Sequence, residues 1–305
     1  MRVQAILNRD GGSLKTLDVG AFGERLRAAF AAEGREAKIA VVAGADLLKA
    51  LDDAAADDRI EAIVAGGGDG TVSAAAAAAW RGGKTLGVLP AGTMNLFARS
   101  LGLPLDLEAA AAVLARARPA RSDIGLADGR PFVHQFSVGL HAYVLSARES
   151  FEYASRIGKM LASARASLRA FSRPRVYRAE MTYDGARESG RYAWIAVSNN
   201  PYGVGHMPYA DRVDGGRLGL YRVGRIGQGA ATRLAADMLR GAWQDNPHLQ
   251  AGEARRVDLV FPRRRRSDKA ALDGELIPLP EKVTIETRPG ALRRLNPLAE
   301  DEVRP

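Results

Sequence analysis

The segment from Ile63 to Thr71, IVAGGGDGT, combines the residue types that hold a phosphate group. Its glycines follow a β-branched apolar run and let backbone N–H groups approach an anion without a Cβ atom in the way. Asp69 adds one carboxylate, and Thr71 stands where the next helix is expected to begin. The segment therefore predicts a strand that ends at a phosphate.

Other motifs fit this segment less well. The dinucleotide fingerprint G-x-G-x-x-G has a third glycine where this chain has Thr71. A Walker loop needs Gly-Lys-Ser/Thr, and the segment has no lysine. A tight strand-to-helix turn with incidental glycines is the remaining alternative.

A second small-residue turn follows the strand predicted at residues 85–90. Gly92 and Thr93 come one crossover after the first loop, so they can open onto the same crevice. Asn95 is a candidate side-chain donor to a nucleotide or to the first loop. Arg99, about one helical turn later, is either a phosphate ligand or a solvated surface residue.

The elements that must position these residues alternate between strand and helix in the first third of the chain. Apolar spacing predicts strands at 3–7, 37–42, 60–65 and 85–90, and helices at 22–32, 47–56 and 107–117. The six-alanine run at 74–79 predicts a thin helix that lies close against a sheet. This order predicts an α/β domain with a mostly parallel sheet over residues 1–125.

From about residue 126 the pattern changes to short alternating runs. Strands are predicted at 132–139, 177–183, 191–198, 218–223, 257–261 and 282–287, many of them separated by Asp-Gly turns. These runs predict an antiparallel β-sandwich or open barrel over residues 126–290. One helix, at residues 151–171, is expected to interrupt it.

Composition limits the function classes. The 305 residues carry a net charge of +9 and no cysteine, which excludes disulfides and thiolate metal sites. We expect neither a secretory signal nor a membrane span, and a cytoplasmic protein. The charge favours an anionic partner: nucleic acid, a phosphorylated ligand or an anionic bilayer. No nucleic-acid motif accompanies it, so we expect no nucleic-acid partner.

Two arginine-rich segments are candidate contacts for an anionic partner. The helix at 151–171 has a basic side, which is either a solvated face or a surface that rests on acidic lipid headgroups at the inner membrane face. The run Arg263 to Arg266 either does the same, binds phosphate, or is a plain exposed turn.

Two acidic segments remain. In the segment from Asp211 to Gly216, carboxylates three residues apart in a glycine turn suit a hard divalent cation, although a plain β-turn has the same pattern. Asp273 and Glu275 lie two residues apart and face one side if the segment is extended. Asp-Gly is also a common hairpin turn, so this segment by itself predicts a turn with a structural role.

Taken in order along the chain, these segments resemble the diacylglycerol kinase and sphingosine kinase superfamily of lipid kinases, in its bacterial single-chain form. The segments that carry the resemblance are Asn8 with the Gly11-Gly12 loop, GGGDGT at 66–71, LPAGTMNLFAR at 89–99, SDIG at 122–125, PYADRVDGG at 208–216 and LDGE at 272–275. NAD kinases share GGDGT, but the chain lacks their TPTGSTAY-like segment.

The resemblance implies an ATP- and Mg²⁺-dependent lipid kinase. The first domain would bind the nucleotide and the second the lipid, with the active site in the cleft between them and residues 291–305 returning to the first domain. The implied ATP ligands are Asn8, Gly11, Gly12, Gly66, Gly67, Gly68, Asp69, Gly70, Thr71, Gly92, Thr93 and Asn95.

The resemblance also implies roles for the acidic residues. Asp69 and Asp123 would help to hold the catalytic Mg²⁺. Asp273 would be the base that takes the proton of the acceptor hydroxyl, and Glu275 would orient it or bind metal. A separate structural Mg²⁺ would be held by Asp211, Asp214 and the carbonyl of Gly216.

One departure from the family pattern bears on activity. Many active relatives have an aspartate directly after G-T-x-N, and this chain has Leu96. The expected function is a kinase acting on a diacylglycerol, a sphingoid base or a related glycerolipid, with peripheral contact to an anionic membrane. The alternative is a catalytically silent lipid or nucleotide sensor. Whether the protein is a homodimer is left open.

Overall fold

A computed structural model describes residues 1–140 and 175–297, which form two compact units. The first unit consists of Met1–Ile124, Asp211–Gly215 and the residues from Arg288 on, and the second of Gly125–Ala210 and Gly216–Thr287. The helix predicted at 151–171 and the chain after residue 297 lie outside the described residues. No helix in the described ranges is long and apolar enough to span a membrane.

The first unit has an alternating strand and helix order. Its elements are β1 (Arg2–Asn8), α1 (Val19–Ala32), β2 (Glu36–Val42), α2 (Leu47–Ala56), β3 (Ala62–Gly67), α3 (Asp69–Arg81), β4 (Thr85–Pro90), α4 (Leu96–Ser100), α5 (Leu107–Arg116) and β5 (Arg118–Ala127). Strands β1 to β4 pair in parallel in the order β4, β3, β1, β2. Their carboxyl ends therefore share one edge, where the glycine loops begin.

Two neighbouring strands of this sheet, β3 and β4, are fully buried. Every residue of β3 and β4 is buried, and their sequences read as continuous apolar or small-residue runs, as expected for a parallel sheet covered on both faces. In α3, Ala75 and Ala79 are completely buried. The small side chains of this helix allow a close approach to the strands, which brings its first turn to the sheet edge.

The second unit is antiparallel. Its elements are β6 (Arg130–Phe132), β7 (Gln135–Gly139), β8 (Tyr177–Tyr183), β9 (Ala186–Ser198), β10 (Leu218–Gly224), α6 (Gln228–Arg240), β11 (Leu249–Ala254), β12 (Arg256–Val260), β13 (Lys269–Leu272), β14 (Glu275–Pro278) and the first part of β15 (Lys282–Asn296). The residues of β15 from Arg288 on belong to the first unit. The long strand β9 pairs with β8 through its first half and with β7 and β10 through its second half. The predicted fold class, a parallel α/β region followed by an antiparallel β region, is confirmed.

Strand alternation builds two separate cores in this unit. Ile195 and Val197 of β9 join one core, and Trp194 and Ala196 of the same strand join the other. Because successive side chains of a strand point to opposite faces, the two cores lie on opposite faces of the sheet. The second core also takes in Leu234 of α6.

Several predicted element boundaries were wrong. Helix α6 was missed, although Ala231, Leu234 and Met238 follow helical spacing and Gly241, at a φ of +77°, ends the helix. The strand predicted at 132–139 is two strands. The strand predicted at 282–287 continues to Asn296, through a proline and a glycine that normally break a strand.

The core that contains Trp194 also contains Tyr221, and this tyrosine leads to a prediction about stability at alkaline pH. Burial raises the pKa of Tyr221 to about 12, from an ordinary value of 10.0. A group whose pKa is raised by folding stabilises the protein fully below its unfolded pKa, and that contribution is lost as the pH rises from about 10 through about 12. The shift corresponds to about 2–3 kcal/mol.

We therefore expect the free energy of unfolding, measured with urea, to fall between about pH 9 and pH 11 by more in the wild type than in Tyr221→Phe. The variant should be less stable at pH 8, because the Tyr221 hydroxyl accepts the backbone N–H of Tyr202 at 2.6 Å. Equal losses in both proteins would contradict this assignment.

Candidate functional site

Three loops meet at the carboxyl edge of the parallel sheet, and glycines stand where they touch. Gly12 has a φ of +44°, and a Cβ atom there would lie 1.7 Å from the carbonyl oxygen of Ala91. The backbone N–H of Ser13 donates to that same oxygen at 2.8 Å. The loop after β1 is thus fastened to the loop after β4 at a distance that only glycine permits.

The middle loop, after β3, is packed in the same way. A Cβ atom on Gly67 would lie 2.5 Å from Thr71, and one on Gly92 would lie 2.6 Å from the Cα atom of Gly68. The backbones of the second and third loops are therefore in direct contact. A surface of exposed and half-exposed main chain is formed by Gly11, Gly12, Gly68, Gly70 and Gly92, whereas Gly66 and Gly67, at the end of β3, are buried beneath it.

Helix α3 begins inside this surface. Its N-cap residue, Gly68, has no side chain to cap the first turn, and Gly70 is exposed with no protein atom within 4 Å of a Cβ atom built on it. The first N–H groups of a helix have no intrahelical acceptors and carry a partial positive charge. This start of α3 is thus suited to an anion.

Side-chain amides hold the loops in place. Asn8 donates through Nδ2 to Oγ1 of Thr71 at 3.1 Å, and its Oδ1 accepts the backbone N–H of Asp10. Asn95 has a φ of +51°, and its amide both accepts from the N–H and donates to the carbonyl of Gly92, each at 2.8 Å. The structure thus places the Asn95 amide within its own turn, where it shapes the loop that carries Gly92 and Thr93.

Asp69 connects the second and third loops. Its two carboxylate oxygens accept the backbone N–H groups of Leu96 at 2.7 Å and Asn95 at 3.1 Å, at the start of α4. The residue is half-buried, and each oxygen keeps a lone pair that these two bonds do not use. Many relatives have an aspartate at position 96. In this chain the residue is Leu96, and its backbone N–H is one of the two groups that contact Asp69.

Asp123 and the turn at 211–215 lie in the same unit. Asp123 is 1% exposed, and its Oδ1 accepts the backbone N–H of Gly290, which has a φ of +62° in the middle of β15. Its own N–H donates to the carbonyl of Val213 at 2.7 Å. The carboxylate of Asp214 lies 3.3 Å from the exposed guanidinium of Arg212, and Gly216 follows with a φ of +67°.

Asp273, in the second unit, opens the β13–β14 hairpin with a φ of +47°. The residue is 7% exposed, and its carboxylate accepts three consecutive backbone N–H groups, from Val133 at 2.8 Å and from His134 and Gln135 at 2.9 Å. These bonds occupy the interval between β6 and β7, which explains why one predicted strand became two. They fix the orientation of the carboxylate.

Glu275, two residues later, has a different environment. Its side chain is 68% exposed and pairs with the guanidinium of Arg130 at 2.7 Å. Exposed pairs of this kind contribute about 0–1 kcal/mol to stability, so the carboxylate can exchange partners at little cost.

Comparison with known proteins shows which family the first unit resembles. Residues 2–127 match the model of the diacylglycerol kinase catalytic domain. Over these residues the chain is similar to the diacylglycerol kinase-like superfamily. The matched residues include all three glycine loops and Asp123.

Individual relatives show the same similarity. The chain is 40% identical over 128 residues to a Pseudomonas aeruginosa protein named "Probable lipid kinase YegS-like", a match over 40% of this chain and 41% of that protein. It is 27% identical over 227 residues to a diacylglycerol kinase of Bacillus subtilis, over 71% of this chain and 72% of that protein. The first of these matches thus spans about two fifths of its relative's length.

Solved structures of the diacylglycerol kinase-like fold cover nearly all of the chain. A crystal structure of a diacylglycerol kinase from Bacillus anthracis superposes with a TM-score of 0.71 at 21% identity, over 97% of this chain and 96% of that one. At this level of identity the likeness shows the fold. It includes the antiparallel second unit, which lies beyond the residues of the family match.

Two contacts within these regions were missed by the sequence analysis. The carboxylate of Asp10 accepts the backbone N–H of Gly44 at 2.7 Å, which fastens the loop after β1 to the loop after β2. The segment Val133–Gln135 holds Asp273 but carries no sequence motif, because it binds the carboxylate through backbone N–H groups, which every residue type except proline has. Asp10 precedes the Gly11-Gly12 pair, and that position was the only signal for it.

Proposed function

We propose that the protein is an ATP- and Mg²⁺-dependent lipid kinase, which transfers the γ-phosphoryl group of ATP to a hydroxyl of a diacylglycerol, a sphingoid base or a related glycerolipid. The observation that carries this proposal is the packing of three glycine loops around the uncapped start of α3. The names of the related proteins and the family match support the choice of a lipid acceptor.

The proposed nucleotide site uses main chain more than side chains. The N–H groups at the start of α3, in the stretch Gly68–Thr71, would receive the phosphates, with Gly11, Gly12, Gly66, Gly67, Gly92 and Thr93 lining the site. Asn8 and Asn95 would act through the shape of the loops. Phosphoryl transfer requires positioned phosphates and stabilised charge, with little covalent work by the protein, so a rigid backbone cradle suits it.

The residues present fit a magnesium ion bound together with ATP. Among the described residues, no group of three or more His, Cys, Asp or Glu side chains is arranged to hold a metal on its own. Mg²⁺ in kinases is commonly held by one or two carboxylates together with substrate phosphates. Asp69, which is half-buried, would hold it with help from Asp123, and the bound ion would neutralise charge that develops on the phosphoryl group.

Asp273 and Glu275 would act on the acceptor. In the proposed step, Asp273 takes the proton of the lipid hydroxyl while the hydroxyl oxygen bonds to the γ-phosphorus and ADP leaves. The three backbone N–H donors hold the carboxylate in one orientation, as a general base requires. Glu275 would orient the acceptor or bind metal. A structural Mg²⁺ at Asp211, Asp214 and the Gly216 carbonyl is a separate part of the proposal.

The direct test incubates the purified protein with γ-labelled ATP, Mg²⁺ and a panel of lipids that carry free hydroxyls. We expect label in at least one lipid, and none when Mg²⁺ is removed with a chelator. Label that enters no lipid would overturn the kinase assignment. Co-sedimentation with vesicles, with and without anionic lipid, tests the proposed contact with the membrane.

Gly70→Ala tests the nucleotide site without disturbing the fold. Because a Cβ atom at this position meets no protein atom, and alanine favours a helix by up to about 1 kcal/mol, we expect an unchanged or higher melting temperature. We expect ATP to bind about tenfold more weakly, because the methyl group adds bulk to the main chain at the start of α3.

Gly20→Ala is the matched control. Gly20 is the second residue of α1, as Gly70 is the second residue of α3, and it lies outside the glycine loops. ATP affinity should be unchanged in Gly20→Ala. Equal ATP affinities for the two variants and the wild type would place the phosphates elsewhere.

Leu96 favours a second candidate, a silent sensor that binds nucleotide or lipid without catalysis. Because the Leu96 N–H contacts Asp69, Leu96→Asp would add a carboxylate next to this contact. If the protein is a kinase, we expect Leu96→Asp to reach half-maximal activity at a Mg²⁺ concentration several-fold lower, and the neutral control Leu96→Asn to show no such gain. A protein inactive in both forms that still binds ATP would be a sensor.

A further inference from the structure

The second unit contains a cavity of about 590 Å³ whose lining is dominated by arginine. It lies among β8, β9 and the turn that follows β12. The arginines that line it are Arg175, Arg178, Arg191, Arg263, Arg264 and Arg265. One carboxylate, that of Asp268, is in the lining, so the cavity carries a strong positive charge.

The buried carboxylate of Asp268 holds the side chain of Arg175 and the backbone of Arg265. Asp268 is 2% exposed; its Oδ2 accepts the backbone N–H of Arg265 at 2.8 Å, and its Oδ1 pairs with the guanidinium of Arg175 at 2.5 Å. The N–H of Asp268 also donates to the carbonyl of Arg265, and its carbonyl accepts from Leu279. Asp268 therefore closes the turn that carries the arginine run and ties Arg175 to it.

Two of the arginines oppose each other across a strand pair. Arg178 of β8 and Arg191 of β9 are direct cross-strand neighbours. Like charges in this position destabilise a sheet. Within residues 1–140 and 175–297, no carboxylate forms an ion pair with Arg178, Arg191, Arg263 or Arg264. An anion in the cavity would remove this repulsion.

The chemistry of the lining selects the anion. A guanidinium presents a planar set of donors that matches the oxygens of a phosphate and forms two parallel hydrogen bonds with it. Ser189 and Gly190 add a hydroxyl and a main-chain segment to the same wall. About five uncompensated charges exceed what one phosphate of charge −1.5 to −2 neutralises, so a cluster of phosphates fits better than one.

We propose that this cavity is a binding site for clustered phosphate groups, distinct from the glycine loops of the first unit. Two sources offer this chemistry: a soluble compound with adjacent phosphates, and phosphomonoester headgroups gathered on a lipid surface. The proposal concerns binding, and it does not depend on the reaction proposed above.

The test measures binding of inorganic pyrophosphate by calorimetry, and of phosphatidylcholine vesicles with and without phosphatidic acid by co-sedimentation. The cavity variant is Arg178→Gln/Arg191→Gln/Arg264→Gln. The control, Arg187→Gln/Arg225→Gln/Arg240→Gln, removes the same charge from exposed positions of the same unit outside the cavity. A pyrophosphate site in the glycine loops would be common to all the proteins, so the difference between the variants reports on the cavity.

We expect the cavity variant to bind about tenfold or more weakly than the control. Loss of pyrophosphate binding identifies a soluble ligand, and loss confined to vesicles with phosphatidic acid identifies headgroups. Equal binding by both variants, or equal weakening in both, would overturn the proposal, because a general surface charge would then explain the attraction.

The variant Asp268→Asn tests whether anion binding depends on the arrangement of the arginines or only on their total positive charge. The variant keeps all six arginines and makes the protein more positive, so charge alone predicts tighter binding. Loss of the carboxylate releases Arg175 and the turn, so binding should weaken if the arrangement of the arginines forms the site. We expect weaker binding at a temperature where the variant is shown by circular dichroism to be folded, and tighter binding there would overturn the proposal.

Discussion

Replacing Asp273 with asparagine is expected to lower lipid phosphorylation by about 10²- to 10⁴-fold, the usual contribution of a general base. The variant also disturbs a local structure. Both oxygens of the carboxylate accept backbone N–H groups, and an asparagine would turn an N–H₂ group toward one of these donors. We therefore expect the free energy of unfolding to fall by about 1–3 kcal/mol.

The two effects are separable. ATP affinity should be unchanged, because the glycine loops belong to the other unit. Activity is measured well below the melting temperature of the variant, so that the folded fraction is the same as in the wild type. A variant that keeps more than about a tenth of the wild-type rate would show that Asp273 is not the base.

Asp184→Asn is the matched control. Asp184 also opens a hairpin in the second unit as the first residue of an Asp-Gly turn, with a φ of +45° against +47° for Asp273. Its carboxylate accepts one backbone N–H, from Arg255, and pairs with Arg217 on the surface. We expect this variant to keep wild-type activity, so that any loss specific to Asp273→Asn is not a property of the turn.

Gly12→Ala is expected to have the largest effect on nucleotide binding. Its Cβ atom would meet the carbonyl oxygen of Ala91 at 1.7 Å, so the loop after β1 must move away from the loop after β4. The hydrogen bond from Ser13 to the same oxygen would be lost with it. Together with the positive φ, this change should cost about 2–4 kcal/mol of stability and weaken ATP binding by more than tenfold.

Gly34→Ala provides the control for backbone strain. Gly34 has a φ of +67°, but a Cβ atom there meets no atom within 4 Å. It should cost about 1–2 kcal/mol through its backbone conformation alone and leave ATP affinity unchanged. ATP affinity is measured by calorimetry and stability by urea unfolding. Equal ATP affinity in Gly12→Ala and Gly34→Ala would show that contact between the loops is not needed for the nucleotide.

The parts of the fold that were predicted from sequence have local signals. Strands β1, β3 and β4 are short apolar runs that end in glycine or small-residue turns, and the regular alternation of strand and helix predicts parallel pairing. The parts that were missed depend on distant partners. Strand β15 continues past Pro289 and Gly290, where the Gly290 N–H meets the carboxylate of Asp123.

The same division holds for the candidate site. Glycine spacing predicts where an anion can approach the main chain, because the absence of a Cβ atom is a property of the residue itself. The residue type of Asn95 predicts a donor to a nucleotide or to the first loop, and only the folded turn shows that its amide bonds to Gly92. The Asp273 carboxylate depends on Val133–Gln135, about 140 residues away and without distinctive side chains.

The sequence by itself determined the residue types that can do phosphate chemistry, the order of the glycine loops, the parallel and antiparallel halves, and the resemblance to a lipid kinase. Tertiary structure alone decided which partners those residues have: Asp69 with the start of α4, Asp273 with three backbone donors, and six arginines around one buried carboxylate. Hydrogen bonds and charge repulsion act between atoms that are close in space. Closeness between distant segments is set by folding and leaves no local pattern in the chain.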